Sequence, residues 1–306
     1  MDVLVVGTGA IGGYYGGRLA QAGARVCVVA RSDYEVVAEE GIRIESPAGD
    51  FHFRPNRVLR TAAAFDGFPD VILVGLKVLE EIRTADLIRD AVGPTTAVLL
   101  IQNGVDIEAP VADAFPKNEI LSGLAFICVH RTAPGKVLHQ DYGRLVLGRY
   151  PGGPSETAQR LADMFRRAGV PCEVTEDVVT ARWQKLVWNA PFNPMSVLCG
   201  GASTQDMLGH EETTRLVRAV MEEVCAVAAA TGHGLPTDVV DRMIADTRKM
   251  TPYKTSMLLD FEAGRPMEVE AILGNAVRIA RSRHIPVPHM ETLYALLSGL
   301  KGRANG

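Results

Sequence analysis

Residues 2–31 read DVLVVGTGAIGGYYGGRLAQAGARVCVVAR. A β-branched apolar run at 2–6 meets a crowd of glycines. A helical pattern follows from Ala10 to Ala22 and stops at Gly23, and a second apolar run at 24–30 ends on Arg31. Gly7-Thr8-Gly9-Ala10-Ile11-Gly12 is a G-x-G-x-x-G loop placed after a strand and at the start of a helix, the context that makes this motif specific for a dinucleotide. Gly7 permits the tight turn, Gly9 lets the backbone approach a pyrophosphate, and Gly12 lets helix and strand pack closely. The N–H groups of Thr8, Ala10 and Ile11 and their neighbours at the helix start then face the phosphates. An acid at the end of the second strand binds the ribose hydroxyls of NAD, whereas an arginine there binds a 2′-phosphate. Arg31 therefore points to NADP(H), with Asp33 close enough to keep NAD as an alternative and an ordinary surface arginine as the plain one.

The pattern continues outward from this stretch. VILVG at 71–75 and AVLLI at 97–101 are continuous apolar runs, as parallel strands buried on both faces require. Their alternation with helical segments predicts an α/β Rossmann (doubly wound) domain over residues 1–175. Between 119 and 147 the segments ILSGLAFICVH, KVLHQ and RLVLG succeed one another, with Pro134–Gly135 and Tyr142–Gly143 as turns, and predict antiparallel strands added at the sheet edge. Ser155 is placed to cap the next helix. From residue 176 to 306 strand signals fade. Helical patterns at 177–190, 211–231, 236–249, 269–283 and 289–300 predict an all-α C-terminal domain, and residues 302–306 read as a frayed tail.

The bulk numbers exclude several classes. The net charge of −4 argues against a nucleic-acid surface as the main partner. No apolar run approaches the ~18 residues of a membrane helix, and the first strand is broken too early by Gly7 for a signal segment. The five cysteines show no C-x-x-C pair, which suits reduced thiols in a cytoplasm, and the seven histidines show no paired spacing that would hold a metal. The stretch MEEVCAVAAATG at 221–232 reads as internal core or as the face of a homodimer, with core favoured by its composition.

Three polar interruptions are odd for packing alone. Lys77 ends one buried strand, and Gln102-Asn103-Gly104 ends the next. Ligands of doubly wound sheets sit beyond the carboxyl ends of the strands. Asn103-Gly104 is equally a turn device, since both residues tolerate positive φ. In WQKLVWNAPFNP at 183–194, Lys185, Asn189 and Asn193 recur at intervals of four and share one helical face among apolar neighbours. A lysine in such a setting is costly unless it has a partner or a task. Pro191 removes one helical hydrogen bond and should kink the helix near Val187. On local grounds Glu268 reads as a solvent-facing residue at a helix start, and Ser256 as a helix cap or a ligand group in equal measure.

Taken together, the glycine loop, Lys77, Gln102-Asn103-Gly104, W-x-K-L-x-x-N at 183–189, Asn193-Pro194 and the S-M-x-x-D-x-x-x-G-R-x-x-E pattern from Ser256 to Glu268 resemble the ketopantoate reductase (2-dehydropantoate 2-reductase) family over nearly the whole chain. The resemblance implies NADPH-dependent reduction of ketopantoate to pantoate on the route to pantothenate and coenzyme A. It implies Lys185 as the general acid, with Glu268 beside it to fix position and charge. Asn189, Asn193 and Ser256 would hold the substrate, Lys77 and Asn103 would bridge cofactor and substrate, and Arg31 would meet the 2′-phosphate. Some members carry a further substrate asparagine about ten residues beyond the Asn-Pro pair. Here Ser203 stands at that distance, which leaves room for another 2-oxo acid as substrate. A protein that senses NADP(H) without turnover is the third reading, and the presence of both Lys185 and Glu268 argues against it.

Overall fold

The computed structural model describes residues 1–304. The chain divides into two compact units. One comprises Met1–Lys77, Glu81–Gln102 and Ile107–Val178; the other comprises Val78–Glu80, Asn103–Asp106 and Val179 onward.

The first unit is built on one ten-stranded sheet. Strand β1 (Asp2–Val6), helix α1 (Ala10–Gln21) and strand β2 (Arg25–Val29) form the opening unit read from the sequence. Helix α2 (Tyr34–Glu40) leads to β3 (Ile42–Glu45), β4 (Phe51–Phe53) and β5 (Arg57–Leu59). Next come β6 (Val71–Val74), α3 (Thr84–Ile88), β7 (Ala97–Ile101) and α4 (Ala109–Ala114). The unit closes with β8 (Ile120–Ala133), β9 (Lys136–Arg149), α5 (Glu156–Arg167) and β10 (Cys172–Val174). Strands β5, β2, β1, β6, β7 and β8 lie side by side, each parallel to the next. That is the doubly wound order of dinucleotide-binding sheets. β6 and β7 are apolar throughout and buried, and so is β1 after its first residue, Asp2, as two-sided burial demands.

The region after β7 differs from the sequence expectation. β8 is parallel to β7, and only β9 runs antiparallel, against β8. The Pro134–Gly135 turn joins them, but Tyr142–Gly143 is no turn: both have positive φ inside an unbroken β9, beside a shift in the β8–β9 register. An extra residue absorbed as a bulge bends a long strand without ending it. Nor does β9 close the sheet, because β3 and β4 pair beyond it. Ser155 caps α5 as expected, accepting from the Ala158 N–H at 2.9 Å.

The β3–β4 hairpin explains the glycines of α1 that the dinucleotide motif does not use. A Cβ on Gly13 would press on Val137 and Ile42, one on Gly16 on Val5, and one on Gly17 on Phe51 and Phe53. Bare backbone on three positions of α1 lets β1, β3, β4 and β9 close around it. Tyr15 and Leu19 supply the bulk of the same core with Val5, Val28, Leu99 and Phe165.

The second unit is helical among its described residues. It holds α6 (Val178–Leu198), α7 (Thr204–Gly209), α8 (Glu211–Ala230), α9 (Val239–Lys249), α10 (Ser256–Glu262), a π-helical turn (Glu270–Gly274), α11 (Asn275–Ser282) and α12 (Pro288–Ala304). α7 and α10 are too short to show a period in the sequence. α6 runs on through Pro191 and Pro194. Leu186, Val187, Ala190, Phe192, Met195 and Val197 are buried along it, and that packing offsets the backbone bonds the prolines remove. α12 includes residues 302–304 of the expected tail, and residues 305–306 lie outside the described residues. All five cysteines are free, and no described helix is long and apolar enough to cross a membrane.

If the bare face of α1 is what admits the β3–β4 hairpin, Gly17→Val overpacks it. Its Cβ would lie 2.8 Å from the Phe51 ring and 3.2 Å from Phe53 Cβ. A loss of about 1–3 kcal/mol is expected, read as a lower urea midpoint; an unchanged midpoint would show that the hairpin gives way freely.

Candidate active site

Lys185 lies in the first half of α6, partly buried, and donates from Nζ to Asn103 Oδ1 at 3.0 Å. Asn103 Nδ2 in turn donates to Glu268 Oε2 at 3.1 Å, and Glu268 Oε1 accepts from the Val78 N–H at 2.9 Å. Asn103 thus stands between an ammonium and a carboxylate, with its amide oriented by the charge on each side. Its amide therefore does more than shape the turn that Gly104 makes, and Glu268 is not the solvent-facing helix residue that its local sequence suggests. All four groups belong to the second unit, because Val78–Glu80 and Asn103–Asp106, the segments that follow β6 and β7, are part of it.

Gly104 shows why the asparagine is followed by glycine. Its φ is +99°, and a Cβ there would lie 2.3 Å from the carbonyl oxygen of Ala271. Ala271 is in the π-helical turn that begins two residues after Glu268, and its carbonyl accepts from the Val105 N–H at 3.4 Å. A π turn displaces the helical ladder by one residue and frees backbone groups for such contacts. Asn275 Nδ2 adds a bond to the Val105 carbonyl at 2.7 Å. The Asn103 loop is therefore pinned to the segment that carries Glu268.

Arg182 is a site residue the sequence reading missed. It is 3% exposed, and its Nη1 donates to the Gly104 carbonyl at 2.9 Å. The available signal was spacing: Arg182 and Lys185 are three apart and neighbours on one helical face. Burial first, and then the Arg182 charge, bring the Lys185 ammonium down from its ordinary value to about 7, against the opposing pull of Glu268.

The remaining candidates fall into different settings. Asn189, one turn beyond Lys185, is 7% exposed, and its side-chain amide has no hydrogen-bond partner among the described residues. Asn193 is 2% exposed and fully engaged. Its Nδ2 donates to the Asn189 carbonyl at 3.2 Å, and its Oδ1 accepts from Ser256 Oγ and the Met257 N–H, each at 3.4 Å. Ser256 is exposed at the first position of α10, and the cap is its neighbour Thr255, which accepts from the Leu258 N–H at 3.2 Å. Ser203 does not stand free for a ligand. It caps α7 in a reciprocal capping box: its hydroxyl accepts from the Asp206 N–H at 3.2 Å while its backbone N–H donates to Asp206 Oδ2 at 2.8 Å, and the hydroxyl also donates to that oxygen at 2.7 Å. The Asp260 and Arg265 of the C-terminal pattern pair with each other at 3.0 Å and fold the end of α10.

In the first unit, the glycine loop fits a dinucleotide. A Cβ on Gly9 would meet nothing within 4 Å, so open space lies where the backbone must approach a pyrophosphate. Gly12 has no such room, since its Cβ would fall 1.9 Å from the Gly7 carbonyl oxygen. Gly75, at the end of β6, is required for the same close approach, 2.8 Å from the Gly12 nitrogen. The first turn of α1 has neither a side-chain cap nor an acid, so its N–H groups and helix dipole are left for an anion. Thr8 is buried, and Ala10 and Ile11 are half-buried in this turn. Arg31 is exposed and its guanidinium has no partner among the described residues. Asp33 is 2% exposed and ion-paired with Arg131. Gln102 ties the ends of β6 and β7 by donating to the Leu76 carbonyl at 2.8 Å, and Lys77 is half-buried beside that tie.

Comparison with known proteins agrees with this geometry. Residues 3–152 match the family model Ketopantoate reductase PanE/ApbA, and residues 177–301 match Ketopantoate reductase PanE/ApbA C terminal. A 2-dehydropantoate 2-reductase from Nostoc sp. is 37% identical, covering 98% of this chain and 95% of its own. The crystal structure of 2-dehydropantoate 2-reductase from Methylococcus capsulatus superposes with a TM-score of 0.94 at 55% identity, covering 100% of this chain and 98% of its own. That from Geobacter metallireducens does so at 0.92 and 37% identity, covering 98% and 100%. The chain belongs to the ketopantoate reductase family, and it is an oxidoreductase that works with a nicotinamide cofactor.

Proposed function

We propose that this protein reduces 2-dehydropantoate (ketopantoate) to pantoate with NADPH, residues 1–175 holding the cofactor and residues 176–306 carrying substrate and catalysis. The Lys185–Asn103–Glu268 chain is the observation that supports it best. When bound, the reduced nicotinamide supplies a hydride to the substrate carbonyl carbon. The carbonyl oxygen then develops negative charge, and the Lys185 ammonium stabilises that charge and delivers the proton. With a pKa brought to about 7, Lys185 gives up its proton far more readily than an ordinary lysine. Glu268 and Asn103 hold the ammonium charged and aimed, so that burial does not discharge it completely. Asn189, with an unpaired amide one turn along the same face, is suited to the substrate carboxylate or hydroxyl. Ser256 offers a hydroxyl to the same ligand. Asn193, with both ends of its amide engaged, acts by positioning Ser256.

For the cofactor, we assign Gly7, Thr8, Gly9, Ala10, Ile11 and Gly12 to the pyrophosphate, Lys77 and Asn103 to the reacting end, and Arg31 to the 2′-phosphate. Asp33, the residue that keeps NAD in play on sequence grounds, is buried against Arg131, and this favours NADP(H). The free cysteines accord with a reducing cytoplasm. A second reading, another 2-oxo acid as substrate, is favoured by one observation: Ser203 is committed to a helix cap where some members place a substrate asparagine.

A steady-state assay at 340 nm with ketopantoate should show turnover, faster with NADPH than with NADH; turnover only with other 2-oxo acids would replace the substrate and keep the chemistry. Lys185→Ala should lower kcat by about 10²–10⁴-fold while leaving NADPH affinity unchanged. Because the ammonium form is required and its pKa is about 7, kcat/KM for reduction should be flat below that pH and fall above it. A profile flat to pH 9 would contradict a Lys185 pKa near 7. Arg31→Ala should weaken NADPH by roughly 10–100-fold, the value of a charge-assisted hydrogen bond, with little change for NADH; equal losses would remove the 2′-phosphate contact.

A further inference from the structure

Two acids follow Arg31 within four residues, and each is held by an arginine from elsewhere in the first unit. Glu35, exposed in the first turn of α2, pairs with Arg60 at 2.5 Å, and the Arg60 guanidinium also stacks on the Tyr34 ring at 3.9 Å. Asp33 pairs with Arg131 near the tip of the β8–β9 hairpin. The ladder slips in register between Arg131 and Ala133, and a slip of this kind re-aims the side chains beside it.

The inward pose of Asp33 is not self-supporting. Its Oδ1 accepts from Ser32 Oγ at 2.7 Å and from Arg131, while Oδ2 is buried with no hydrogen-bond partner. Asp33 stands at the N-cap of α2 and makes no cap bond, although aspartate at an N-cap normally does. A buried carboxylate with one orphaned oxygen and an unmade cap stays inside because a counter-charge holds it there.

We propose that Arg131 is a positioning residue for cofactor choice: it holds Asp33 inward, so that the turn after β2 presents Arg31, and no free acid, to the adenosine ribose. The inference rests on the NADP(H) reading above and deepens it. Without Arg131, the Asp33 carboxylate is uncompensated and turns outward. There it accepts from the 2′-hydroxyl of NAD and repels the 2′-phosphate of NADP.

The test is equilibrium binding of NADP⁺ and NAD⁺ to the full chain by calorimetry. Wild type should prefer NADP⁺. Arg131→Met should shrink that preference by roughly tenfold or more, through weaker NADP⁺ with NAD⁺ held or tightened. Asp33→Asn combined with Arg131→Met should restore it, because the released group then carries no charge. Arg131→Lys, which keeps the charge, should retain most of it, and this variant with the double variant decides the matter if Arg131→Met does not fold. Equal weakening of both cofactors in a folded Arg131→Met overturns the proposal, as does an unchanged ratio in that variant, a double variant that fails to restore it, or an Arg131→Lys variant that loses it. If wild type itself binds NAD⁺ and NADP⁺ equally, the NADP(H) reading fails first and this proposal with it. If wild type prefers NADP⁺ but the variants keep its ratio, only the role of Arg131 fails.

Discussion

A lysine taken out of water needs a reason to stay charged, and the second unit is organised around supplying one. The Lys185 ammonium is held by an amide whose other end is held by a carboxylate, and that carboxylate is held by a backbone N–H. Each link depends on a distinct local device. α6 must run on as a helix so that Lys185 and Asn189 share a face. The loop after β7 must reach the π turn closely enough that Gly104 cannot carry a side chain. The π turn must leave the Ala271 carbonyl available to that loop. Arg182 pulls the other way, lowering the proton affinity of Lys185 while tying the same loop to α6. The balance leaves the Lys185 ammonium poised to lose its proton near neutral pH.

The first unit solves a different problem with backbone alone. α1 must come close enough to β1 and β6 for its N–H groups to aim at one point, and Gly7, Gly12 and Gly75 remove the atoms in the way. The same helix must also be wrapped by β3, β4 and β9, and Gly13, Gly16 and Gly17 make room for that. Glycines in and around one helix thus serve separate tasks, one set letting its N-terminus come close to β1 and β6 and the other making room for the core.

Much of this was legible in the residues. The parallel strands β1, β2, β6 and β7 announce themselves as unbroken apolar runs, and the glycine loop is specific because of where it falls between them. Lys185 was visible as a charge inside an apolar helix, and the spacing to Asn189 gave its face. What stayed hidden needed the third dimension. β3, β4 and β5 are only three or four residues long, too short for a period to show. Tyr142–Gly143 looks like a turn because it has turn residues, and only the strand partners reveal it as a bulge. Glu268 looks like a helix-start residue because its partners, Val78 and Asn103, lie 190 and 165 positions away. Ser203 matches by distance along the chain, whereas its hydroxyl is taken locally by Asp206.

The central claim is that Lys185 holds a proton it can lose near neutral pH because of where it is buried and what surrounds it. A direct measurement is the pH titration of the Lys185 side chain by NMR in protein labelled at lysine Cε, with Lys185→Arg used to assign the signal. The account predicts one lysine resonance that titrates near pH 7 and is absent from the variant. A Lys185 resonance that stays protonated through pH 9 would contradict it.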